Sequence, residues 1–394
     1  MDLIRSSGPI SRVELVNATG LTQPTISNIV RRLIDDGVVR ETGDLVATRG
    51  KPRSMLVINS RAAYGVGIHV AADALTCVVT DTRGGTVGRQ LVATPEDGRP
   101  ESLMARLATL YHEITQGLGL PPQSVAGMAV VGPGPVDVRR GRFLALPGLL
   151  GPPGPAGLDL AHALTGRLGV PVLVDSDAAA ATVGEFWGRQ VSRERTFGCL
   201  YMNSGIGSGV VLDGALHRGA SSNAGKLGHL AVARDGERCH CGNRGCLEQR
   251  AAPRALVARA RAVPGLADRL RIGAGDPDAR AFDVLARAAI YGDVQASALL
   301  AESAELLAEG ALLLANLWDI DTLVLAGPGF AVAGSIYVTE IRRRLAERAF
   351  ARDVHDVRVD LSSNPRDSAA IGGAALVLQG SVAPGHGPLV STMR

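Results

Sequence analysis

The first sixty residues show the hydrophobic spacing of short helices joined by a sharp turn. Ser11 and Glu14 stand three residues apart, as the partners of a helix capping box do, and Gly20 follows as the end of that helix. Thr22 is placed to cap a second helix. The apolar residues of this second helix recur at spacings of three and four on one face: Ile26, Ile29, Val30, Leu33 and Ile34. The pattern predicts a helix-turn-helix.

The remaining face of the second helix is polar, and a basic hairpin follows it. Short polar side chains at the start of a recognition helix can contact base edges, and arginines further along can contact phosphates. The residues expected to contact DNA are Gln23, Thr25, Ser27, Asn28, Arg31 and Arg32 on the helix, and Arg49, Lys51 and Arg53 in the hairpin. With strands at 38–40 and 54–58, residues 1–60 are predicted to form a winged helix-turn-helix that binds double-stranded DNA. A helical hairpin that contacts only protein is the alternative.

The segment ahead of these helices is short. Residues 2–6 make barely one helical turn before Gly8 and Pro9, and so short a helix is marginal unless it packs against other elements. We expect either that translation starts upstream of Met1 or that this domain is loosely held.

From residue 62 the spacing changes to that of an α/β protein. Residues 62–175 are predicted to form a first α/β lobe, with strands at 65–70, 75–80, 86–93, 125–131 and 171–174 and a helix at 100–118. Residues 176–365 are predicted to form a second lobe, with strands at 198–202, 322–326 and 357–361 and helices at 178–187, 251–262, 281–300, 301–316 and 335–350. A closing helix at 366–379 would complete the first lobe, and residues 380–394 are expected to be disordered.

Three of the five cysteines crowd into one polar, glycine-rich loop. Cys239, Cys241 and Cys246 follow His229, and the glycines among them allow the tight turns that bring several sulfur atoms to one point. A set of three thiolates and one imidazole suits a structural, four-coordinate Zn²⁺. The alternative is that these thiols are exposed or disulfide-bonded.

The same stretch carries a family resemblance. Gly228 and His229, the loop CHCGNRGC, and then Leu247 and Glu248 resemble the signature of the ROK family, which contains bacterial sugar kinases and sugar-responsive repressors. The resemblance implies an α/β, actin-like (ribonuclease H-like) fold of two lobes, preceded here by the winged helix-turn-helix. It also implies that His229 both binds zinc and orients a sugar hydroxyl, and that Glu248 contacts the same sugar.

The phosphate-binding part of that signature is missing. Where the family's kinases have an Asp followed by two glycines and a Thr, this chain has His69, Val70, Ala71, Ala72 and Asp73. Alanine side chains block the close backbone approach that phosphate needs, and Asp73 would repel it. The second glycine loop, at 203–209, is retained and could still bend around an anion, but glycine turns have many purely conformational uses.

The sugar-binding part is retained only in outline. Asp177 matches the kinases' catalytic base, so we interpret it as a vestigial base position with no catalytic residue left, and Ser176 replaces the kinases' Asn. An Asp that merely caps the next helix is the alternative. Lys226 replaces a Glu near His229, and we hypothesise from this change that the ligand is anionic. The predicted ligand contacts are Asp177, Ser176, Lys226, His229 and Glu248.

The sequence excludes a secreted protein and a membrane-spanning protein, while its net charge does not indicate a partner. The 41 Lys and Arg residues barely exceed the 38 Asp and Glu residues, so whole-chain charge does not indicate a nucleic-acid partner. Residues 1–10 lack the apolar core of a secretory signal, and the most apolar helical run, 306–318, is too short to span a bilayer. We expect a cytoplasmic protein with no membrane partner.

These patterns predict a transcriptional regulator, a repressor of carbohydrate-related genes that sits on the nucleoid when bound to DNA. It would bind a palindromic operator as a homodimer or homotetramer, and a sugar or sugar derivative between its lobes, without enzyme activity. The alternative is an active, ATP-dependent sugar kinase with a fused DNA-binding domain. A co-regulator that has lost its ligand is a third hypothesis.

Overall fold

The N-terminal head is built from three helices and a three-stranded antiparallel sheet in a computed structural model that describes residues 1–46, 53–147, 149–150, 157–233 and 235–382. Its elements are α1 (Asp2–Ser6), β1 (Ile10–Ser11), α2 (Arg12–Thr19), α3 (Gln23–Asp35), β2 (Val39–Val46) and β3 (Arg53–Ile58), with the sheet order β1-β3-β2. The buried core of the head consists of Ile4, Ile10, Leu15, Ile26, Val30, Val39, Leu56 and Ile58.

The capping box predicted for α2 is confirmed. The backbone N–H of Ser11 donates to Glu14 Oε2 at 2.7 Å, and the N–H of Glu14 donates to Ser11 Oγ at 3.3 Å. Gly20 ends α2 in the left-handed conformation, at φ 68°. Local chemistry therefore fixes where α2 begins and ends.

Three details of the head differ from the prediction. Thr22 precedes α3, but its hydroxyl pairs with Thr25 Oγ1 at 2.9 Å and does not accept a helix N–H. Ile29 was placed on the buried face, whereas it is 43% exposed. The expectation of a loosely held domain is wrong, since Ile4 and Arg5 of α1 are both buried.

The first lobe is organised around a five-stranded mixed sheet of order β10-β7-β4-β5-β6. Its elements are β4 (Tyr64–Val70), β5 (Ala74–Asp81), β6 (Thr86–Ala93), α4 (Pro100–Gly117), β7 (Val125–Gly132), the hairpin β8 (Val136–Asp137) and β9 (Arg142–Phe143), α5 (Leu160–Leu168) and β10 (Val172–Ser176). Strand β7 lies parallel to β4 and β10, while β4, β5 and β6 are antiparallel neighbours.

The second lobe repeats this plan with the sheet order β13-β12-β11-β14-β15. Its elements are α6 (Asp177–Gly188), β11 (Phe197–Met202), β12 (Ile206–Leu212), β13 (Ala215–Leu216), α7 (Glu248–Ala251), α8 (Pro253–Ala262), α9 (Leu266–Leu270), α10 (Asp278–Ile290), α11 (Val294–Trp318), β14 (Thr322–Ala326), α12 (Gly334–Arg348) and β15 (Arg358–Leu361). The last described element is α13 (Ser368–Val382). None of the described helices combines the length and apolarity needed to cross a membrane.

Two boundaries predicted from the sequence are wrong. The helices placed at 281–300 and 301–316 in fact divide at Gly292, which has a φ of 90°, so that α11 runs for 25 residues. The final helix continues to Val382, so residues 380–382 are helical; residues 383–394 lie outside the described residues.

Helices α6 and α13 approach each other closely enough for their backbones to touch. A Cβ added at Gly372 would overlap the carbonyl oxygen of Ala180, and one added at Gly184 would lie 2.8 Å from Gly372 Cα. On its other side, α13 meets β4 in the same way, since a Cβ at Gly67 would overlap the Ala370 carbonyl oxygen. Glycine at these positions joins α6, α13 and the first sheet into one packed unit.

We expect Gly372→Ala to lower the free energy of unfolding by about 2 kcal/mol or more, because the added methyl group must displace backbone atoms that cannot rotate away. Gly166→Ala is the matched control: Gly166 lies in the exposed part of α5 with nothing within 4 Å of a Cβ, so helix propensity should make this change neutral or slightly stabilising. Urea denaturation of both variants measures the difference. Equal stability of the two variants would contradict this packing.

Candidate functional site

Four predicted metal ligands come together in the loop after β13. His229 ends the 3₁₀ turn Leu227–His229, and one donor atom from each of His229, Cys239, Cys241 and Cys246 lies within 4.8 Å of all the others. Cys239 Sγ is 3.6 Å from His229 Nδ1, and Cys241 Sγ is 3.6 Å from Cys246 Sγ. All five cysteines are free. The 3.6 Å between the sulfur atoms of Cys241 and Cys246 is far longer than a disulfide bond of about 2.05 Å.

The donor set and its dimensions fit a tetrahedral zinc ion. Zinc–sulfur bonds of about 2.3 Å give a tetrahedron with edges of about 3.7 Å, close to the spacing of these atoms. The loop holds this geometry because Gly245, at φ 66°, packs against the Ala233 carbonyl, where a Cβ would overlap. The side-chain amide of Gln249 donates to Cys239 Sγ at 3.3 Å and so helps to orient this ligand.

Two thiols of the cluster differ in acidity. The backbone N–H of Asn243 lowers the pKa of Cys241, as a metal ligand requires. Burial, together with the neighbouring sulfur atoms, raises the pKa of Cys246 to about 12. A metal bound here would therefore displace a proton from Cys246.

Glu248 contacts the His and Cys side chains of the cluster. Its Oε1 is 3.4 Å from His229 Nδ1, 3.7 Å from His240 Nδ1 and 3.9 Å from Cys239 Sγ. His240 was not predicted as a site residue, although its position between two of the cysteines was a signal. His229, His240 and Glu248 form a second set of potential metal ligands that overlaps the first.

Two predicted ligand contacts stand at the start of α6. Ser176 is the N-cap, and its Oγ accepts the Ala179 N–H at 3.3 Å, so this side chain has a structural role. Asp177 Oδ1 accepts the Ala178 N–H at 2.8 Å, while its Oδ2 faces His69 Nε2 at 3.9 Å. One oxygen of Asp177 thus serves the helix, as the capping alternative proposed, and the other is directed toward a buried imidazole.

His69 is a site residue that the sequence analysis did not select. It is 3% exposed, lies edge-on to the ring of Tyr201, and places Nε2 3.5 Å from the Tyr201 hydroxyl. Burial and then the charge of Asp177 raise the pKa of Tyr201 well above its usual value, so the phenol stays protonated and can donate. His69, Asp177 and Tyr201 form one buried polar cluster.

A second buried carboxylate anchors the loop that precedes the metal cluster. Asp175 is 1% exposed and pairs with Arg218 Nη1 at 2.8 Å. Burial raises the pKa of Asp175, and the charges of Arg218 and then Lys226 oppose that rise. Asn223 fastens the same loop to β8, accepting the Val136 N–H at 3.1 Å and donating to the Val136 carbonyl at 2.8 Å.

From the sequence we expected the charge of Lys226 to lie beside His229, but the side chain extends toward Gly134. Its Nζ lies next to Gly134, 3.6 Å from the position a Cβ would take there, and its charge acts on Asp175. Lys226 is half-buried, and no carboxylate in the described part of the chain comes within 4 Å of it.

The retained glycine loop is explained by packing against α6. A Cβ at Gly207 would lie 2.7 Å from Ala178 Cβ, and one at Gly209 would overlap the hydroxyl of Thr182. These glycines let β12 lie close to α6. Their role is conformational, which is the alternative to anion binding given in the sequence analysis.

A cavity of about 240 Å³ is lined by the turn at 71–73 and by Pro328 and Gly329. The turn at 71–73 is tied down by Thr94, whose Oγ1 donates to the Ala71 carbonyl at 2.8 Å and whose N–H donates to the Asp73 carbonyl at 3.2 Å. An ion pair of 2.6 Å between Arg366 and Asp283 lies at the edge of the same cavity.

Six of the residues predicted to contact DNA lie on α3. Gln23, Thr25, Asn28, Arg31 and Arg32 are exposed, and Ser27 is half-buried. Exposed Ile29 lies among them, four residues after Thr25 and three before Arg32, so it could contact a thymine methyl group. Arg49 and Lys51 lie outside the described residues; Arg53 begins β3, but its side chain is not described.

Comparisons with known proteins agree with this organisation. A ROK family model matches residues 65–380, and a winged helix-turn-helix DNA-binding model matches residues 1–40. The xylose repressor of Bacillus subtilis (strain 168) is 30% identical over 254 residues, which cover 64% of this chain and 65% of that protein.

Two solved structures share the fold. A ROK family transcriptional regulator, a homolog of the E. coli MLC protein, has a TM-score of 0.73 at 26% identity and covers 96% of this chain and 94% of its own. A ROK family glucokinase from Streptomyces griseus, in complex with glucose and AMPPNP, has a TM-score of 0.67 at 26% identity and covers 80% of this chain and 99% of its own. The predicted actin-like fold is confirmed. The chain belongs to the ROK family, and its winged helix-turn-helix places it among the DNA-binding transcriptional regulators of that family.

Proposed function

We propose that this chain represses carbohydrate-related genes by binding operator DNA through α3, and that a sugar or sugar derivative bound between the lobes changes that binding. The observation that carries the proposal is the combination in one chain of an exposed DNA-reading helix with a ROK cleft whose phosphate turn is replaced. The similarity to the Bacillus subtilis protein named xylose repressor supports it. A homodimer or homotetramer would present two heads to a two-fold operator, and its place of action would be the cytoplasmic nucleoid.

We propose further that kinase activity has been lost. By the family resemblance, His69 stands where the kinases have an Asp, so the carboxylate on that strand is replaced by a buried imidazole 3.9 Å from Asp177. The alanines and Asp73 of the turn at 71–73 offer neither glycine backbone nor a hydroxyl to a phosphate. Phosphoryl transfer depends almost entirely on positioning and charge stabilisation, and both are missing at this end of the cleft.

The sugar end supports ligand binding without reaction. Asp177 and Glu248 supply carboxylate acceptors, and His229 turns Nδ1 toward the metal cluster, which leaves Nε2 for a hydroxyl group. Zn²⁺ held by His229 and the three cysteines would fix the orientation of that imidazole. These roles follow the family resemblance.

We expect the ligand to carry an acidic group, because Arg218 already neutralises Asp175 while the half-buried ammonium of Lys226 has no carboxylate partner within 4 Å among the described residues. Thermal-shift measurements should show greater stabilisation by glucuronate or glucose 6-phosphate than by glucose or xylose at equal concentration. In Lys226→Met that difference should disappear. A neutral sugar that stabilises the chain more than its acidic counterpart would contradict the charge argument.

For DNA binding, we expect Arg31→Ala to weaken binding to every duplex sequence and to reduce the slope of log affinity against log salt by about 0.9, because one phosphate contact is lost. Fluorescence anisotropy with a duplex selected from random-sequence DNA measures both quantities. Arg280→Ala, which removes a 73%-exposed arginine from the second lobe, should leave them unchanged. Equal affinities of the two variants would show that α3 does not contact the DNA backbone at Arg31.

For the metal, we expect one zinc ion per chain and its loss in Cys241→Ser, with a fall in Tm of about 5 °C or more. His240→Ala is the matched control, since the ring is 57% exposed and belongs only to the overlapping ligand set; it should keep the metal. Elemental analysis and calorimetry measure both. Zinc lost from His240→Ala but kept by Cys241→Ser would assign the ion to His229, His240 and Glu248.

A further inference from the structure

Arg5 of the head is inserted into the body of the protein. Its side chain is 5% exposed, and its guanidinium donates from Nη1 to the Trp187 carbonyl at 3.2 Å and from Nη2 to the Val191 carbonyl at 3.1 Å. The same group lies 4.8 Å from the centre of the Trp187 ring and 5.3 Å from that of Phe186. A buried arginine held by two carbonyls and two aromatic rings is a specific attachment, since an arginine is rarely buried without such partners.

The attachment point is the C-terminal end of α6. The Trp187 carbonyl also accepts the N–H of Gln190, which turns the chain out of the helix with a φ of 56°. The last carbonyls of a helix carry partial negative charge, so a cation placed there is stabilised. Arg5 therefore acts as a cap on α6 that comes from a different domain.

Helix α1 contacts both the core of the head and helix α6. Ile4 is 3% exposed in the core of the head, while the next residue, Arg5, is docked on α6. The head makes a second contact at the hairpin between β5 and β6, where Thr82 Oγ1 donates to the Asn59 carbonyl at 2.5 Å. That contact lies where the chain passes from head to body, whereas Arg5 reaches a helix 182 positions away.

The opposite end of α6 forms part of the ligand cleft. Ser176 caps it and Asp177 is its first residue, about 18 Å from the end that Arg5 holds, for a helix of 12 residues. One uninterrupted helix, packed on α13 at Gly184, therefore connects the Asp177 end to the Trp187 end.

We propose that Arg5 is the positioning residue that couples the cleft to the DNA-reading head. Ligand at Asp177 shifts α6, α6 carries Arg5 and α1 with it, and α1 tilts the head core that supports α3. The inference rests on the proposed function, because it takes DNA and a cleft ligand as the two coupled partners. Coupling is reciprocal, so DNA bound to the head must change α6 at the cleft.

Hydrogen exchange of the α6 peptide 177–183 tests this proposal, with a duplex selected from random-sequence DNA as the probe. Saturating duplex should change the exchange rate in the wild-type chain by about threefold or more, and should change it little in Arg5→Ala. Arg83→Ala, which removes an exposed arginine from the adjacent hairpin, should behave as the wild type. A purely structural role of Arg5 would alter the rate equally with and without DNA.

A second measurement covers the case in which Arg5→Ala does not fold. Trp187 and Trp318 are the two tryptophans of the chain, so in Trp318→Phe the emission reports the ring beneath Arg5. The selected duplex should shift that emission, and Arg5→Lys, which cannot bridge both carbonyls with a planar fork, should reduce the shift.

The outcomes separate the two proposals. A wild-type chain that binds no duplex would refute the proposed function. If duplex binds but leaves both α6 exchange and Trp187 emission unchanged, or if its effect on exchange persists in Arg5→Ala, the coupling through Arg5 is wrong while DNA binding stands.

Discussion

The direct contact between the backbones of α6 and α13 is the constraint on which the rest of the structure depends. Glycine at 184 and 372 removes the side chains that would separate the two helices, and α13 in turn lies against β4. The first and second sheets are thereby fixed to one central pair of helices.

The two ends of the cleft have diverged from each other on this shared scaffold. At one end, Asp177, His229 and Glu248 occupy the positions to which the family resemblance assigns hydroxyl contacts. At the other end, the turn at 71–73, which replaces the kinases' phosphate turn, is closed by Thr94. Since binding a ligand requires complementarity only to that ligand, while phosphoryl transfer requires positioned charges as well, the second property can be lost while the first remains.

Features set by neighbouring residues were predictable from the sequence. The capping box at Ser11 and Glu14 and the turn at Gly20 depend on local chemistry, and the cluster of His229 with three cysteines follows from spacing and ligand type. The family, the fold and the regulator branch predicted from those motifs are confirmed.

Features set by distant residues were not predictable. The division between α10 and α11 was misplaced because the apolar spacing continues through both helices and only the conformation of Gly292 separates them. The charge of Lys226 acts on Asp175, which lies far earlier in the chain on β10, and the glycines at 207 and 209 are needed because β12 packs closely against α6. Arg5 looked like one charged residue in a marginal helix, because its partners lie more than 180 positions away.

We propose that this scaffold binds a ligand between its lobes and performs no phosphoryl transfer. The most direct measurement is ADP formation by the full-length, zinc-loaded chain with Mg²⁺-ATP and a panel of hexoses, pentoses and sugar acids, alongside Asp177→Asn. The prediction is that the wild type and Asp177→Asn give the same background rate with every sugar. Sugar-dependent ADP formation that Asp177→Asn abolishes would contradict it.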